Sequence, residues 1–189
     1  VVDPYLYRGR LDYPIALREA THRLSRLMPV EQLRSELTEI LANAYRPESI
    51  SIVLGSQSYR DDEVALLTRA ATFALNDADD GSPVLVIDPE VDSNQSDARS
   101  FLARAGAEIV MGLRRRGRLL GVVVLGARRS GDAYFTKDLQ FLESIAELAS
   151  VSVDNALLYR EQLQILEYSN RLLESLNSAV VAIDDSGRL

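Results

Sequence analysis

The chain contains no cysteine, which excludes a disulfide framework, a thiolate zinc site, a cysteine nucleophile and a chromophore linked through a thioether, such as a bilin. It contains a single histidine, His22, so no Ser-His-Asp set can be assembled. That histidine stands in Thr21-His22-Arg23-Leu24, without the acidic neighbour a phosphoacceptor histidine needs, and reads as a solvated helix residue. No stretch of about 18 apolar residues occurs, so no segment reads as a transmembrane helix, and the N-terminus lacks a signal-peptide pattern. No glycine-rich phosphate loop follows a strand. Basic residues are the minority: 21 Lys and Arg against 28 Asp and Glu leave a formal net charge of -7. Nucleic acid and anionic membrane surfaces are polyanions, and a chain of this sign is not drawn to either.

What is present is patterned. In 189 residues, 47% of them hydrophobic, there is room for one domain with a substantial core plus an appendage, or for two small domains. Tyr13, Leu17, Ala20, Leu24 and Leu27 recur at spacings of four and three and predict an amphipathic helix. Pro29 fits the first turn of a second helix, with Val30, Leu33, Leu37, Ile40, Leu41 and Ala44 as its buried stripe and Arg46-Pro47 as its end. Ile50 to Leu54 predicts a strand, Gly55 to Arg60 a polar connection, and Asp61 or Asp62 the cap of a helix running to about Leu75. Asn76 to Ser82 reads as a loop, Pro83 to Asp88 as a second strand and Asp88 to Gln95 as an acidic loop. Ser96 or Asp97 then caps a short helix that ends at Gly106, a residue suited to the left-handed position after a helix. Ala107 to Leu113 and Leu119 to Ala127 predict a hairpin around Arg114-Arg115-Arg116-Gly117-Arg118, with Gly117 setting its tip. A hairpin favours an antiparallel sheet, and the first and last helices are expected to pack together on one face of it.

The last helix is the most distinctive element. Thr136 is expected to cap it, with Asp138 in the favourable first turn. From Lys137 to about Asn177 it spans about 60 Å, more than a domain of this size buries. Along it Leu142, Ile145, Ala149, Ser152, Ala156, Tyr159, Leu163, Leu166, Asn170 and Leu173 alternate at spacings of three and four, the pattern of a coiled-coil dimer seam. Up to Ala156 the apolar face is broad, and one side of it is expected to pack on the domain's own sheet. Beyond Tyr159 it narrows among Arg160, Glu161, Glu167, Arg171 and Glu174, and a narrow stripe with no sheet to cover it needs a partner helix. Asn170 on that stripe is a device for fixing a parallel two-stranded register. Ala149, Ser152 and Ala156 are small enough for close, weak packing.

Two other clusters read as ordinary surface. The carboxylates at Asp61-Asp62, Asp77 to Asp80 and Asp88 to Asp97 lack the alternate spacing, central glycine and distal glutamate of a calcium loop, so no metal site is expected. Arg114 to Arg118 has no interleaved aromatics and reads as a charged hairpin tip. No catalytic set and no cofactor signature emerge.

Gly121-Val122-Val123-Val124-Leu125-Gly126 after a charged turn, and Asp154-Asn155-Ala156-Leu157-Leu158-Tyr159 on the helix that follows, resemble the second half of a GAF domain. The intervening Arg129 to Leu139 is similar to the version found in bacterial sensor histidine kinases. Tyr7 to Tyr13 resembles the segment joining a membrane region to such a domain, and Val180-Val181-Ala182-Ile183-Asp184-Asp185-Ser186-Gly187-Arg188-Leu189 resembles the opening strand and turn of a PAS domain. The resemblance implies an α+β fold: a GAF-like antiparallel sheet flanked by helices, with long N- and C-terminal signalling helices. It implies a linker helix at 1–28, a GAF-like domain at 29–159, a coiled-coil linker helix at 160–177 and the start of a truncated PAS-like domain at 178–189, an excised piece of a longer sensor. The implied function is a non-enzymatic sensory and dimerisation module, relaying a signal through coiled-coil helices in a two-component sensor histidine kinase. The implied setting is the cytoplasmic side of a parent anchored in the inner membrane. The implied partners are a second copy through the N- and C-terminal helices, the downstream PAS and kinase domains and a small-molecule ligand, with no nucleic acid. The short space between Leu54 and Asp61 points to a small or absent ligand pocket. Two alternatives keep the same module: a ligand-free dimerisation scaffold, and the GAF-PAS sensor part of a transcriptional regulator, cyclic-dinucleotide enzyme or serine phosphatase.

Overall fold

In a computed structural model, which describes residues 12–55, 62–78, 81–88 and 97–186, Asp12 accepts a hydrogen bond from Ile15 N–H and starts helix α1 (Tyr13–Leu24), with Pro14 in its first turn. The expectations for Tyr7 to Leu11, for most of the connection up to Arg60, for the capping options Asp61 and Ser96, for the acidic loop beyond Asp88 and for Gly187 to Leu189 lie outside the described residues. Helix α1 stops a turn short of the expected stripe. Ser25 closes it, Leu27 is exposed and Met28 is buried instead, because a residue preceding proline is steered out of the helical region. Pro29 is then the N-cap of α2 (Val30–Tyr45) rather than a member of its first turn. At the other end Arg46, which also precedes a proline, takes a left-handed conformation with φ 47°.

Strand β1 (Ile50–Leu54), helix α3 (Asp62–Asp77), strand β2 (Val84–Val86), helix α4 (Asp97–Arg104), strand β3 (Ala107–Arg115) and strand β4 (Arg118–Gly126) follow. The hairpin turn is Arg116-Gly117, both with positive φ, as the twist of a two-residue hairpin requires. The four strands pair antiparallel in the order β1-β4-β3-β2. Alternation along β3 and β4 divides the side chains between two cores. Ile109, Met111, Leu113, Val123 and Leu125 face α1, α2 and the last helix. Val110, Val122 and Val124 face α3 and α4, meeting Ala71, Ala74, Leu75 and Leu102. A Cβ on Gly121 would lie 2.6 Å from Val53 O, and one on Gly126 would lie 2.6 Å from Ser49 Oγ. Glycine at both ends of the β4 motif therefore lets β1 and the residue before it approach.

Helix α5 (Thr136–Ser186) is one uninterrupted element of 51 residues, about 75 Å long at the standard rise. Two expectations change here. Thr136 is the first helical residue rather than the cap; Phe135 precedes the helix, and the Asp138 carboxylate accepts its N–H at 2.7 Å. Val180 to Asp185 is helix where an opening strand was expected. A short apolar run with no neighbouring strand cannot satisfy its backbone groups in a ladder, whereas a helix satisfies them internally. Among the described residues no helix is long and apolar enough to cross a membrane.

Candidate functional site

The root of α5 is locked by a polar cluster inside the helical layer. Asp138 is 3% exposed. Its Oδ1 accepts the Tyr13 hydroxyl at 2.5 Å and lies 2.6 Å from Arg128 Nη2; its Oδ2 takes the Phe135 N–H. Its backbone carbonyl accepts the Tyr45 hydroxyl at 3.1 Å. The Arg128 guanidinium carbon sits 4.8 Å from the centre of the Tyr45 ring and 4.6 Å from that of Tyr134, a double cation–π placement. The Tyr134 hydroxyl donates to Gly126 O at 3.0 Å. Arg128 Nε and Nη2 are buried without a well-directed hydrogen bond, so the contact with Asp138 is a charge contact and the rings carry the remainder. One residue, Asp138, thus ties α1, α2, the β4–α5 connection and α5 together, the link to α2 running through its backbone carbonyl and the others through its carboxylate.

The electrostatics follow from this enclosure. Burial pushes the Asp138 carboxyl up, but the Tyr13 hydroxyl, the Phe135 N–H and the Arg128 charge together outweigh it and hold the group below the usual carboxylate value. Burial, followed by the Asp138 charge, drives the Tyr45 phenol well above its ordinary value. Burial likewise raises Tyr134 to about 12, with Arg128 pulling the other way. At neutral pH the cluster therefore holds one anion, one cation and neutral phenols. Beside it, at the β2 edge of the sheet, a cavity of about 290 Å³ is lined by Val86, Asp88, Glu108, Arg128, Asp132 and Tyr134 among others. Two members of the cluster, Arg128 and Tyr134, thus form part of its wall.

A second contact fixes the direction of α1. Ser152 Oγ lies 2.6 Å from Leu24 O and donates to it, satisfying a carbonyl that the end of α1 leaves open. Tyr13 at the start of α1 meets Asp138, and Leu24 at its end meets Ser152, so α1 and the first part of α5 run parallel, side by side. The α1 N-terminus and the free end of α5 therefore lie at opposite poles of the domain.

The predicted seam splits on this framework. Leu142, Ile145 and Ala149 are 0% exposed and Ala156 2%, covered by the chain's own sheet and helices, while Ser152 is half-buried and bonded to α1. These five are core of the chain itself and are not available to a partner; the broad face of this half leaves no part of the stripe outside the domain. Tyr159, Leu163, Leu166, Asn170 and Leu173 are all exposed. His22 is exposed, as expected. Of the arginine cluster, Arg114 is half-buried and donates through Nη2 to Asn76 Oδ1 at 2.6 Å and Leu75 O at 3.3 Å, docking the hairpin on the C-terminal end of α3. Among the described residues no group of His, Asp and Glu is placed to hold a metal ion. The Arg128–Asp138 cluster went unseen in the sequence, where Asp138 registered only as a first-turn acid. Its partners lie 93 and 125 residues away along the chain, and no spacing rule joins them.

The antiparallel sheet with helices on both faces defines a GAF-like α+β architecture. The family model of the GAF domain matches residues 16–153, more than half of the chain, and the chain belongs to the GAF domain family. GAF domains are non-catalytic sensory modules. The matched span begins inside α1 and ends inside α5. No curated protein matches the chain.

Proposed function

We propose that this GAF domain is a dimeric relay in a two-component sensor histidine kinase, receiving a signal through α1 or a small ligand and passing it along α5 to PAS and kinase domains further on. The chain would stand on the cytoplasmic side of a membrane-anchored parent, with its distal α5 paired to that of a second copy. The observation that carries this reading is the parallel docking of α1 on α5, pinned at Tyr13–Asp138 and Leu24–Ser152. A push or rotation of α1 is delivered to α5 directly, and α5 leaves the domain at the opposite pole. The surface left for the pairing includes Tyr159, Leu163, Leu166, Asn170 and Leu173, together with the neighbouring exposed residues of the same helix. A ligand seated in the cavity beside Arg128 would act on the same junction, because Arg128 holds Asp138 and Asp138 holds Tyr13.

The test joins the chain at Ser186 to the dimerisation helix of a histidine kinase and inserts residues after Tyr159. One inserted residue rotates everything downstream by about 100°, whereas seven restore the phase to within about 20°. Kinase output that is lost or inverted by one residue and recovered by seven is expected; output indifferent to both would count against the relay. A ligand-free scaffold is favoured by one observation: the sheet face toward α3 and α4 is filled by Ala71, Ala74, Leu102 and Val110, all 0% exposed. A uniformly flat melting response across a library of nucleotides and metabolites would support the scaffold.

A further inference from the structure

Helix α5 carries a second apolar row that the described residues of its own domain leave exposed. Val151, Leu158, Ile165 and Leu172 recur every seven residues and are 39%, 52%, 61% and 45% exposed. Ala149, two residues before Val151, is 0% exposed. At about 100° per residue the two point roughly 160° apart, so the row runs down the side of α5 opposite the sheet. It is continuous from the level of the domain to the distal part of the helix. Asn155, Gln162 and Ser169, all exposed, fall four residues after successive members of the row and complete the alternating four-three spacing of a coiled-coil seam.

The row of Tyr159, Leu163, Leu166, Asn170 and Leu173 is placed differently. It prolongs the flank on which α1 lies, marked by Phe141, whose ring is 5.8 Å from that of Tyr13, and by Ser152, bonded to Leu24. A partner helix laid along that flank runs into the end of α1 at the level of Ser152. One laid along the Val151 row meets no described residue of the same chain.

We propose that a second copy of this chain covers the row of Val151, Leu158, Ile165 and Leu172 with its own identical row, parallel and two-fold symmetric, so that the α5 helices pair back to back with the domains outside. This rests on the dimer reading above and specifies its face. The pattern is self-complementary, as a two-fold interface requires. In a parallel pair each residue meets its counterpart, so apolar layers face apolar layers, and Asn155, Gln162 and Ser169 meet their own copies, able to hydrogen-bond. An antiparallel pair would set the amides opposite leucines. Polar layers fix register at a cost in stability, which suits an interface that has to change its packing. Tyr159, Leu166 and Leu173 lie on the rim of this contact, whereas Leu163 and Asn170, one residue after Gln162 and Ser169, point away from it.

The absence of cysteine makes the test direct. Leu158→Cys, Ile165→Cys and Leu172→Cys, each introduced singly into the full chain and mildly oxidised, should form disulfide-linked dimers at least about tenfold faster than Leu163→Cys or Asn170→Cys, because a disulfide needs Cα atoms within about 7 Å. The reverse ranking leaves the dimer standing and overturns this face. Linking only in a mixture of Leu158→Cys chains with Gln162→Cys or Ser169→Cys chains, with none linking alone, marks an antiparallel pair and overturns the parallel one. Linking at no position, with a monomeric mass in sedimentation, overturns the dimer reading as well.

Discussion

The two halves of α5 share one sequence period and differ in what lies over it. In the first half, Leu142, Ile145 and Ala149 of the stripe are fully buried by the domain that the helix closes. In the second half, Leu163, Leu166 and Leu173 continue the same spacing at 43%, 60% and 58% exposure. A three-four repeat therefore reports that one side of a helix is apolar, not which molecule covers it. The row at Val151, Leu158, Ile165 and Leu172 carries the complementary lesson. It is open along its whole length because it faces away from the sheet, so the surface available to a partner is set by the domain's position around the helix.

The largest effects should come from the root of the first half. Asp138→Ala strands the buried Arg128 charge and removes the acceptor of Tyr13 and of the Phe135 N–H, and urea denaturation should show a loss of about 3–5 kcal/mol. Leu142→Ala should cost about 2–5 kcal/mol by leaving a cavity. Leu163→Ala, on the same stripe, should change the monomer's stability by no more than about 0.5 kcal/mol. Equal losses at the two positions would erase the contrast between the halves. Asp138→Asn probes the charge alone. Since the folded carboxyl titrates below its unfolded value near 3.9, its stabilisation is in force above that pH and is lost as pH falls through the folded value. Wild-type stability should therefore fall more steeply on acidification than that of Asp138→Asn, and parallel acid limbs would deny the carboxylate this role. Ser152→Ala removes the hydroxyl bond to Leu24 O and should cost about 0.5–1.5 kcal/mol, with faster amide exchange at the end of α1. Asn170→Leu, which points away from the proposed contact, should shift dimer affinity least of all.

Most of the fold could be read along the chain because its signals are local. The β-branched run at Ile50 to Leu54, Gly106 with its positive φ and the Arg116-Gly117 turn each act within a few residues. At the end of α5, Val180 to Ile183 has the composition of a strand, which needs another strand beside it, and here it continues the helix. The candidate site was the least legible part. Tyr13, Tyr45, Arg128 and Asp138 come from four separate elements and connections, and only the packing of α1 and α2 against α5 brings them together. The seam was legible as a period, but its coverage depends on the tertiary position of α1.

Sedimentation equilibrium of the wild-type chain beside Ile165→Glu is the most direct test of whether α5 pairs through the Val151 row. The wild type should sediment as a dimer, and Ile165→Glu should raise its dissociation constant on the order of 100-fold or more, because the charge must be buried twice in the pair. A monomeric wild type, or a dimer that Ile165→Glu leaves untouched, would contradict that pairing.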